Sequence, residues 1–204
     1  MFDPGFYLGE GELTGYKNQS IQKAASKIKG DYLSGIDEYI RSLVKVETDS
    51  RYLMSGERSA EKIVEDGFTL GFSDPCHVFL ALSRAKGIPA ACVETIEIRK
   101  GECKIMRPFV DVYMGMDWRP RNPGYGKVPK EGELYILEST ALPNMSKRKF
   151  VEIARGLDLS ELLGINGEKI SLRSKSDFDK LFESKGFNEM IVRYSEFTQS
   201  LPRE

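Results

Sequence analysis

The sequence predicts a fold of the α+β class, because helical patterns and strand patterns occupy separate parts of the chain. Between positions 18 and 87, apolar residues recur every three or four positions, which is the spacing of amphipathic helices. Between positions 91 and 137, they form short alternating or continuous runs bounded by Gly and Pro, which are typical of strands. Helical spacing returns after Pro143. Helices followed by strands are typical of the α+β class.

The composition indicates one globular domain without a broad charged surface. The chain has 204 residues, of which 40% are hydrophobic, and this length can bury a sizeable core. Its 30 basic residues against 31 acidic ones give a net charge of −1, which disfavours a nucleic-acid partner. Nowhere do eighteen apolar residues run together, so no membrane span is predicted.

The cysteine positions and the absence of known motifs argue against disulfide-rich, metal-binding and cofactor-binding proteins. Three Cys at positions 76, 92 and 103 have no framework spacing, and no signal-peptide pattern is present, so we expect a cytoplasmic protein with free thiols. One His and three scattered Cys do not supply zinc ligands at regular spacing. The sequence has no phosphate-binding loop, complete dinucleotide fingerprint or metalloprotease His-Glu pair. We therefore expect no cofactor and no metal.

Three helices are predicted before position 70. The first begins at Asn18 and ends before Gly30, and the second begins near Ser34. The third is capped by Ser59 and ends at Gly67. Their apolar positions are Ile21, Ala24, Ala25 and Ile28 in the first helix, Ile36, Tyr39, Ile40, Leu43 and Val44 in the second, and Ile63 and Val64 in the third.

A fourth helix is predicted within positions 71–89. Asp74 and Pro75 suit its first turn, because an acidic side chain meets the positive end of the helix there and a missing N–H costs no hydrogen bond. Gly87 is expected to end it. The residues expected to face the core are Val78, Phe79, Leu82 and Ala85.

Three strands are predicted after this helix, at positions 91–99, 109–114 and 134–137. Residues 115–132 hold four Gly and three Pro, and we expect a long loop there. The segments predicted beyond the strands are a helix at 146–156, a turn-rich connector at 157–172 and a helix at 176–198.

Residues 71–89 resemble the nucleophile helix of the transglutaminase-like superfamily. They end in Arg84-Ala85-Lys86-Gly87-Ile88-Pro89, which matches the superfamily's Arg-Ala-x-Gly-Ile-Pro turn, and the likeness covers residues 18–142. The resemblance implies a papain-like/transglutaminase-like α+β core, in which N-terminal helices pack on an antiparallel β-sheet. It places that core in residues 1–145, followed by extra C-terminal helices in residues 146–204 as an extension of the same domain.

The chain departs from the superfamily at each triad position that the resemblance implies. The nucleophilic Cys stands about fifteen residues before the Gly of Gly-Ile-Pro, and that position is Phe72 here. Arg107 replaces the His at the start of the strand reading Arg-Pro-Phe-Val-Asp-Val-Tyr, and Glu138 stands at the Asp position. Arginine stays protonated at any working pH, so it cannot act as a base. We therefore predict a degenerate triad, with an Arg107–Glu138 ion pair beneath Phe72.

A shifted alignment would make Cys76 the nucleophile. It removes four residues, about one 5.4 Å turn, from the helix, whereas Phe72 aligns without a gap. In the ungapped alignment Cys76 is a small buried residue with an inert thiol. His77 follows directly, and helix neighbours do not face each other, so the two side chains do not readily share a proton. We expect His77 to be a polar or half-buried helix residue.

The loop at 115–132 is the candidate contact surface. It carries the only Trp, one Tyr and four basic residues, a composition typical of interfaces, although a flexible hairpin tip would explain it as well. The candidate binding residues are Trp118, Arg119, Arg121, Tyr125 and Lys127.

These features favour a catalytically inactive transglutaminase-like domain that binds a protein or peptide. The alternative is an active cysteine hydrolase or acyltransferase with Cys76 as nucleophile. A third hypothesis is nucleic-acid association through the basic residues between Arg119 and Lys130, which the balanced charge weakens and which salt would abolish. No pattern in the chain indicates an oligomeric state.

Overall fold

The computed structural model contains four α-helices and nine strands among the residues that it describes. The described residues are 3–46, 58–71, 73–99, 102–121, 123, 134–136, 150–164, 169–172, 180, 181 and 183. A 3-10 turn at Phe6–Leu8 precedes the helices, which are α1 (Gln19–Lys27), α2 (Tyr32–Ser42), α3 (Ala60–Asp66) and α4 (Ser73–Ala85). The strands are β1 (Val44–Val46), β2 (Phe68–Leu70), β3 (Ala90–Arg99), β4 (Glu102–Tyr113), β5 (Trp118–Arg121), β6 (Leu134–Ile136), β7 (Phe150–Gly156), β8 (Leu162–Gly164) and β9 (Lys169–Ile170).

The four helices predicted before position 89 are confirmed, together with the predicted caps Asn18 and Ser59 and the predicted end residues Gly67 and Gly87. Asn18 caps α1 by accepting a hydrogen bond from the Ile21 amide at 2.9 Å, and Ser59 caps α3 in the same way. Gly67 and Gly87 follow α3 and α4 at φ 73° and 71°, a conformation that favours glycine. The second helix begins two residues earlier than predicted, because the Asp31 side chain caps it.

One sheet of seven strands runs in the order β5-β4-β3-β7-β8-β9, and β6 pairs with β7. Every pair in it is antiparallel except the β6–β7 pair. The short strands β1 and β2 form a separate parallel pair. Helices packed on a largely antiparallel sheet confirm the predicted mixture of helix and sheet.

Helix α4 lies at the centre of the molecule. It contacts α1, α2 and α3 on one side and β3 and β4 on the other. Because it is covered from both sides, nearly all of its residues are buried, including the polar ones. The opposite face of the sheet has a smaller apolar cluster of Tyr7, Ala91, Val93, Phe109 and Leu157, against which Trp118 packs.

The prediction of a helix at 146–156 is wrong for the residues that the structure describes, since Phe150–Gly156 is strand β7. Apolar residues at 150, 151, 153 and 154 fit both a helical and a strand pattern. Pairing with β3 on one side and β8 on the other decides for the strand, because strand preference depends on neighbouring strands.

Other predicted boundaries also change. Strand β4 begins at Glu102, seven residues before the predicted start, since its first half lacks a clear alternation of apolar residues. The predicted loop 115–132 contains strand β5, and the predicted connector 157–172 contains β8 and β9. In the predicted helix 176–198, the described positions 180, 181 and 183 are helical. Among the described segments, no helix is long and apolar enough to cross a membrane.

Candidate functional site

The start of α4 is held by a buried acid. Asp74 lies in the first turn, accepts a hydrogen bond from the Leu70 amide at 2.8 Å and pairs with the Arg58 guanidinium. Burial raises the pKa of Asp74 to about 6, although the Leu70 amide and Arg58 oppose the shift. Arg58 also pairs with Asp66 at 2.8 Å and lies over the Phe68 ring. This cluster fixes the N-terminal end of α4, which is where the resemblance to the transglutaminase-like superfamily implies a nucleophile.

Cys76 lies one turn inside α4 and is 1% exposed. Its thiol donates to the Pro108 carbonyl on β4, with an Sγ–O distance of 3.3 Å. Burial raises the pKa of Cys76 well above its ordinary value, and the nearby carboxyls of Glu94 and Asp74 raise it further. The predicted burial of Cys76 is confirmed, and the thiol is protonated at neutral pH.

The prediction that His77 is a polar or half-buried helix residue is confirmed for its place in α4 and wrong for its burial, since the side chain is fully buried. Its Nδ1 lies 2.9 Å from the Arg58 carbonyl, so this nitrogen carries the proton and donates. Burial lowers the pKa of His77, so the ring is neutral, and its Nε2 has no hydrogen-bond partner among the described residues. Sequence reasoning missed this burial because Arg58 reaches the ring from nineteen positions away.

The predicted triad positions are covered only in part. Phe72 and Glu138 lie outside the described residues. Arg107 lies in β4, where its backbone pairs with Thr95 of β3. The Arg107–Glu138 ion pair therefore stays a prediction.

The candidate binding residues divide into two groups. Trp118 is half-buried, with its ring 5.2 Å from Tyr7 and 5.4 Å from Tyr113. Arg155 lies 5.3 Å from the Trp118 ring on the same sheet face. Trp118 is thus part of the packing.

The other described candidate residues are Arg119 and Arg121. The Arg119 side chain is 62% exposed and lies 3.6 Å from Asp117. Arg121 is half-buried, near enough to α2 to favour the charged forms of Asp31 and Asp37. Tyr125 and Lys127 lie outside the described residues. Arg119 is the most exposed of the described candidate residues.

Two buried charged groups were missed by sequence reasoning on this side of the molecule. Asp111 and Arg155 form a buried pair at 2.7 Å on the sheet face that carries Trp118. Burial raises the pKa of Asp111, and Arg155 opposes that shift. The signal available was strand parity, since Asp111 shares a face of β4 with the buried Phe109.

Arg84, from the motif turn, is also buried and donates five hydrogen bonds. Burial lowers the pKa of Arg84 to about 10, so the guanidinium stays charged at neutral pH. Its acceptors are the carbonyls of Tyr7, Ala90 and Leu157 and the hydroxyl of Thr14. Arg84 therefore ties the N-terminal segment, β3 and the end of β7 to α4.

Comparison with known proteins supports the fold and leaves the family unassigned. No protein-family model matches the chain, and no curated protein matches it. Among solved structures, the chain is similar to the crystal structure of a candidate cysteine protease from Cytophaga hutchinsonii, with 20% sequence identity and a TM-score of 0.51. The match covers 77% of this chain and 48% of the other, so the chain spans about half the length of that protein. At this identity the likeness concerns the fold alone, and it supports a papain-like fold.

The described residues show no group of three or more His, Cys, Asp or Glu side chains that could hold a metal ion.

Proposed function

We propose that this chain is a catalytically inactive domain of papain-like fold that binds a protein or peptide. The proposal rests on the replacement of all three implied triad residues, with Phe72, Arg107 and Glu138 where a thiol, an imidazole and an aspartate are required. Phenylalanine offers no nucleophile, and arginine cannot take up a proton at working pH.

The surroundings of Cys76 support inactivity. Its thiol is buried, donates to a backbone carbonyl and is disfavoured as a thiolate by burial. His77 is the only His in the chain, and its Nδ1–H donates a hydrogen bond to the Arg58 carbonyl. This bond orients the ring toward Arg58, and Cys76 is not its partner. Neither group is placed to start acyl transfer on an external substrate.

The β4–β5 turn supports a binding role. Met114 and Met116 are exposed there, and Arg119 follows on β5. Methionine, aromatic and arginine side chains are enriched at protein interfaces. Trp118 anchors this turn from below through its contact with Tyr7. The turn thus offers apolar contact area and a cation on a well-packed base.

Alkylation of the native protein tests the inactivity. We expect iodoacetamide to label Cys76 at neutral pH only after unfolding in urea, as read by mass spectrometry of the peptides that contain Cys76, Cys92 and Cys103. A panel of fluorogenic peptide amides should show no turnover. Rapid, selective labelling of native Cys76 below about pH 7 would overturn the proposal, because it requires a stabilised thiolate.

Peptide binding tests the second half of the proposal. A synthetic library of peptides on beads should retain wild-type protein, and Arg119→Ala should reduce retention at least about tenfold if it loses one charged interface contact. Arg41→Ala removes an exposed arginine from α2 and is the matched control, which should bind as the wild type does. Equal retention of both variants, or none of the wild type, would contradict a binding role for the β4–β5 turn.

The alternative is an active cysteine hydrolase or acyltransferase that uses Cys76. Its support is the position of Cys76 in the first part of α4, directly after Pro75. It requires a base other than His77 and an opening of the helix–sheet contact. Full retention of peptide-amide turnover in Cys76→Ala would remove it.

A further inference from the structure

Glu94 is a fully buried carboxyl that pairs with no described side chain. It lies in β3 at 0% exposure, and among the described residues the amide of Thr95, its neighbour in the strand, is the polar group that stabilises its charge. Across the sheet it pairs with Pro108 on β4 and Ala154 on β7. Pro108 has no N–H to donate, and Ala154 has no polar side-chain atom. A buried acid in the middle of a sheet needs a reason, since such groups are almost always hydrogen-bonded.

The described titratable groups near Glu94 are thiols. From α4 this is Cys76, which donates to the carbonyl of Pro108 and whose pKa the Glu94 carboxyl raises. On its own strand, Cys92 lies two residues away on the same sheet face and is buried in the core beneath α4. On β4 and β7 its neighbours are Pro108 and Ala154, which do not titrate.

The nearest described cation on β7 does not serve Glu94. Arg155 follows Ala154, points to the opposite sheet face and pairs with Asp111. Among the described residues, a negative charge on Glu94 would be opposed by burial and stabilised by the Thr95 amide alone. Burying an uncompensated carboxylate is far more costly than burying the neutral acid. Burial accordingly raises the pKa of Glu94 well above its ordinary value, and the Thr95 amide opposes the shift.

The strand pairing breaks at the same place. Glu94 pairs with Ala154 of β7, but the next residue, Thr95, pairs with Glu152, so β7 has one extra residue there. A β-bulge of this kind leaves the ladder locally disrupted. The sheet beneath α4 thus has a break in its ladder directly beside Glu94.

We propose that Glu94 is a proton-held latch, whose protonated carboxyl lets α4 close on the sheet and whose deprotonation loosens that contact and exposes Cys76. The device is independent of whether the domain binds a peptide. It makes the closed core a state that depends on pH, with the closed form favoured at lower pH.

The test compares wild-type protein with Glu94→Gln, which keeps the shape and removes the titration. A group that binds its proton more tightly in the folded state destabilises folding as pH rises above its unfolded pKa. The unfolding constant of the wild type, relative to that of the variant, should therefore rise about tenfold per pH unit above about pH 4.5, until the folded pKa is reached. All other groups are common to both proteins and cancel in this ratio. Glu38→Gln, on the exposed face of α2, is the matched control and should show a constant ratio.

Labelling gives the second readout. Iodoacetamide should modify Cys76 of native wild-type protein increasingly as pH rises, and more steeply than it modifies Cys76 in Glu94→Gln. Parallel unfolding profiles, or equal labelling profiles, would overturn the latch. If Glu94→Gln does not fold, carbon-13 NMR of labelled glutamate in the wild type decides, since the latch requires one glutamate carboxyl that titrates at a clearly higher pH than the others. Glutamate carboxyls that all titrate in the same range would refute it. Labelling of both proteins below pH 7 would instead contradict the proposed inactivity.

Discussion

At the scale of single residues, Arg84 shows how much of this core depends on a buried charge. Its guanidinium meets four acceptors that come from separate parts of the chain. A buried charge of this kind is stable only when its donors are used, and each acceptor that loses its partner costs about 1–3 kcal/mol.

Arg84→Met should therefore lower the free energy of unfolding by at least about 3 kcal/mol, because it leaves several buried acceptors without a donor. Urea unfolding followed by circular dichroism measures the change. Arg41→Met, on the exposed face of α2, should change it by no more than about 0.5 kcal/mol. A loss below about 1 kcal/mol in Arg84→Met would show that water replaces the guanidinium.

Asp158 gives a prediction about acid pH. It is buried and accepts from the Leu13 amide at 2.7 Å and the Ser160 amide at 2.9 Å. Burial alone would raise the pKa of Asp158, but the bonds from Ser160 and Leu13 together lower it below 3.8. The folded protein thus binds this proton less tightly than the unfolded chain, so the stabilisation is complete above about pH 4 and is lost as pH falls through the folded pKa.

Asp158→Asn should cost about 2–3 kcal/mol at pH 7, since an amide group replaces an acceptor and opposes a donor. The difference from wild type should shrink below about pH 4, where the wild-type carboxyl also takes up a proton. Unfolding curves at several pH values measure this. A difference that stays constant down to about pH 2 would mean that the role of Asp158 does not depend on its charge.

The burial of a site residue could be predicted when it follows from nearby residues in the sequence. It could not be predicted when it depends on a distant segment. Burial of Cys76 followed from its place one turn inside the helix. Burial of His77 did not, because its cover comes from Arg58, in a segment that the helix pattern does not reveal. Burial of Glu94 was also hidden, because it follows the apolar Val93 and so fits a strand with one face in water. The sequence pattern around it does not show that both faces of this strand are covered.

At the scale of elements, the β7–β8 turn depends on a glycine. A Cβ atom at Gly156 would overlap the Glu161 carbonyl oxygen. Gly156 is the last residue of β7 and pairs there with Leu162 of β8. Gly156 also pairs with Cys92 of β3, so the strand cannot move away on that side.

Gly156→Ala should therefore lower the free energy of unfolding by at least about 2 kcal/mol, since the backbone must shift to admit the methyl group. Gly15→Ala is the matched control. A Cβ atom there has no neighbour closer than 3.9 Å, and the change is expected within about 1 kcal/mol of wild type. Chemical unfolding of both variants measures the contrast, and equal stabilities would show that the turn adapts.

Elements with strong end signals were predicted well. The caps at Asn18 and Ser59 and the glycines at 67 and 87 gave the limits of three helices, because each acts through hydrogen bonds within a few residues. Strand β7 was mistaken for a helix, because its pattern fits both periods and its partner β3 lies about sixty residues earlier in the chain.

At the scale of the whole molecule, the core unites parts that are distant in sequence. Helix α4 packs on β3 and β4, while Arg84 and Asp158 bind the N-terminal segment to the end of β7. The α+β class was predictable from the grouping of patterns. The strand order was not, because pairing between β3 and β7 leaves no local signal.

Because these ties cross the molecule, we expect unfolding to be one cooperative transition. Trp118 is the only Trp and reports on the outer face of the sheet, and far-ultraviolet circular dichroism reports on the helices. The two signals should share one midpoint in urea, within error. Loss of the helical signal at a lower urea concentration than the Trp118 signal would show that the helices and the sheet unfold separately.

The acceptors of Arg84 also have a bearing on how the chain is made. During synthesis the N-terminal part of a chain leaves the ribosome first, and the chain grows by about 5–20 residues per second. Arg84 emerges long before Leu157, whose carbonyl it binds. Arg84 therefore cannot complete its hydrogen bonds until more than seventy further residues have been synthesised. Until then its guanidinium stays in water. We expect the nascent domain to close late, in one step, once β7 has reached the edge of β3.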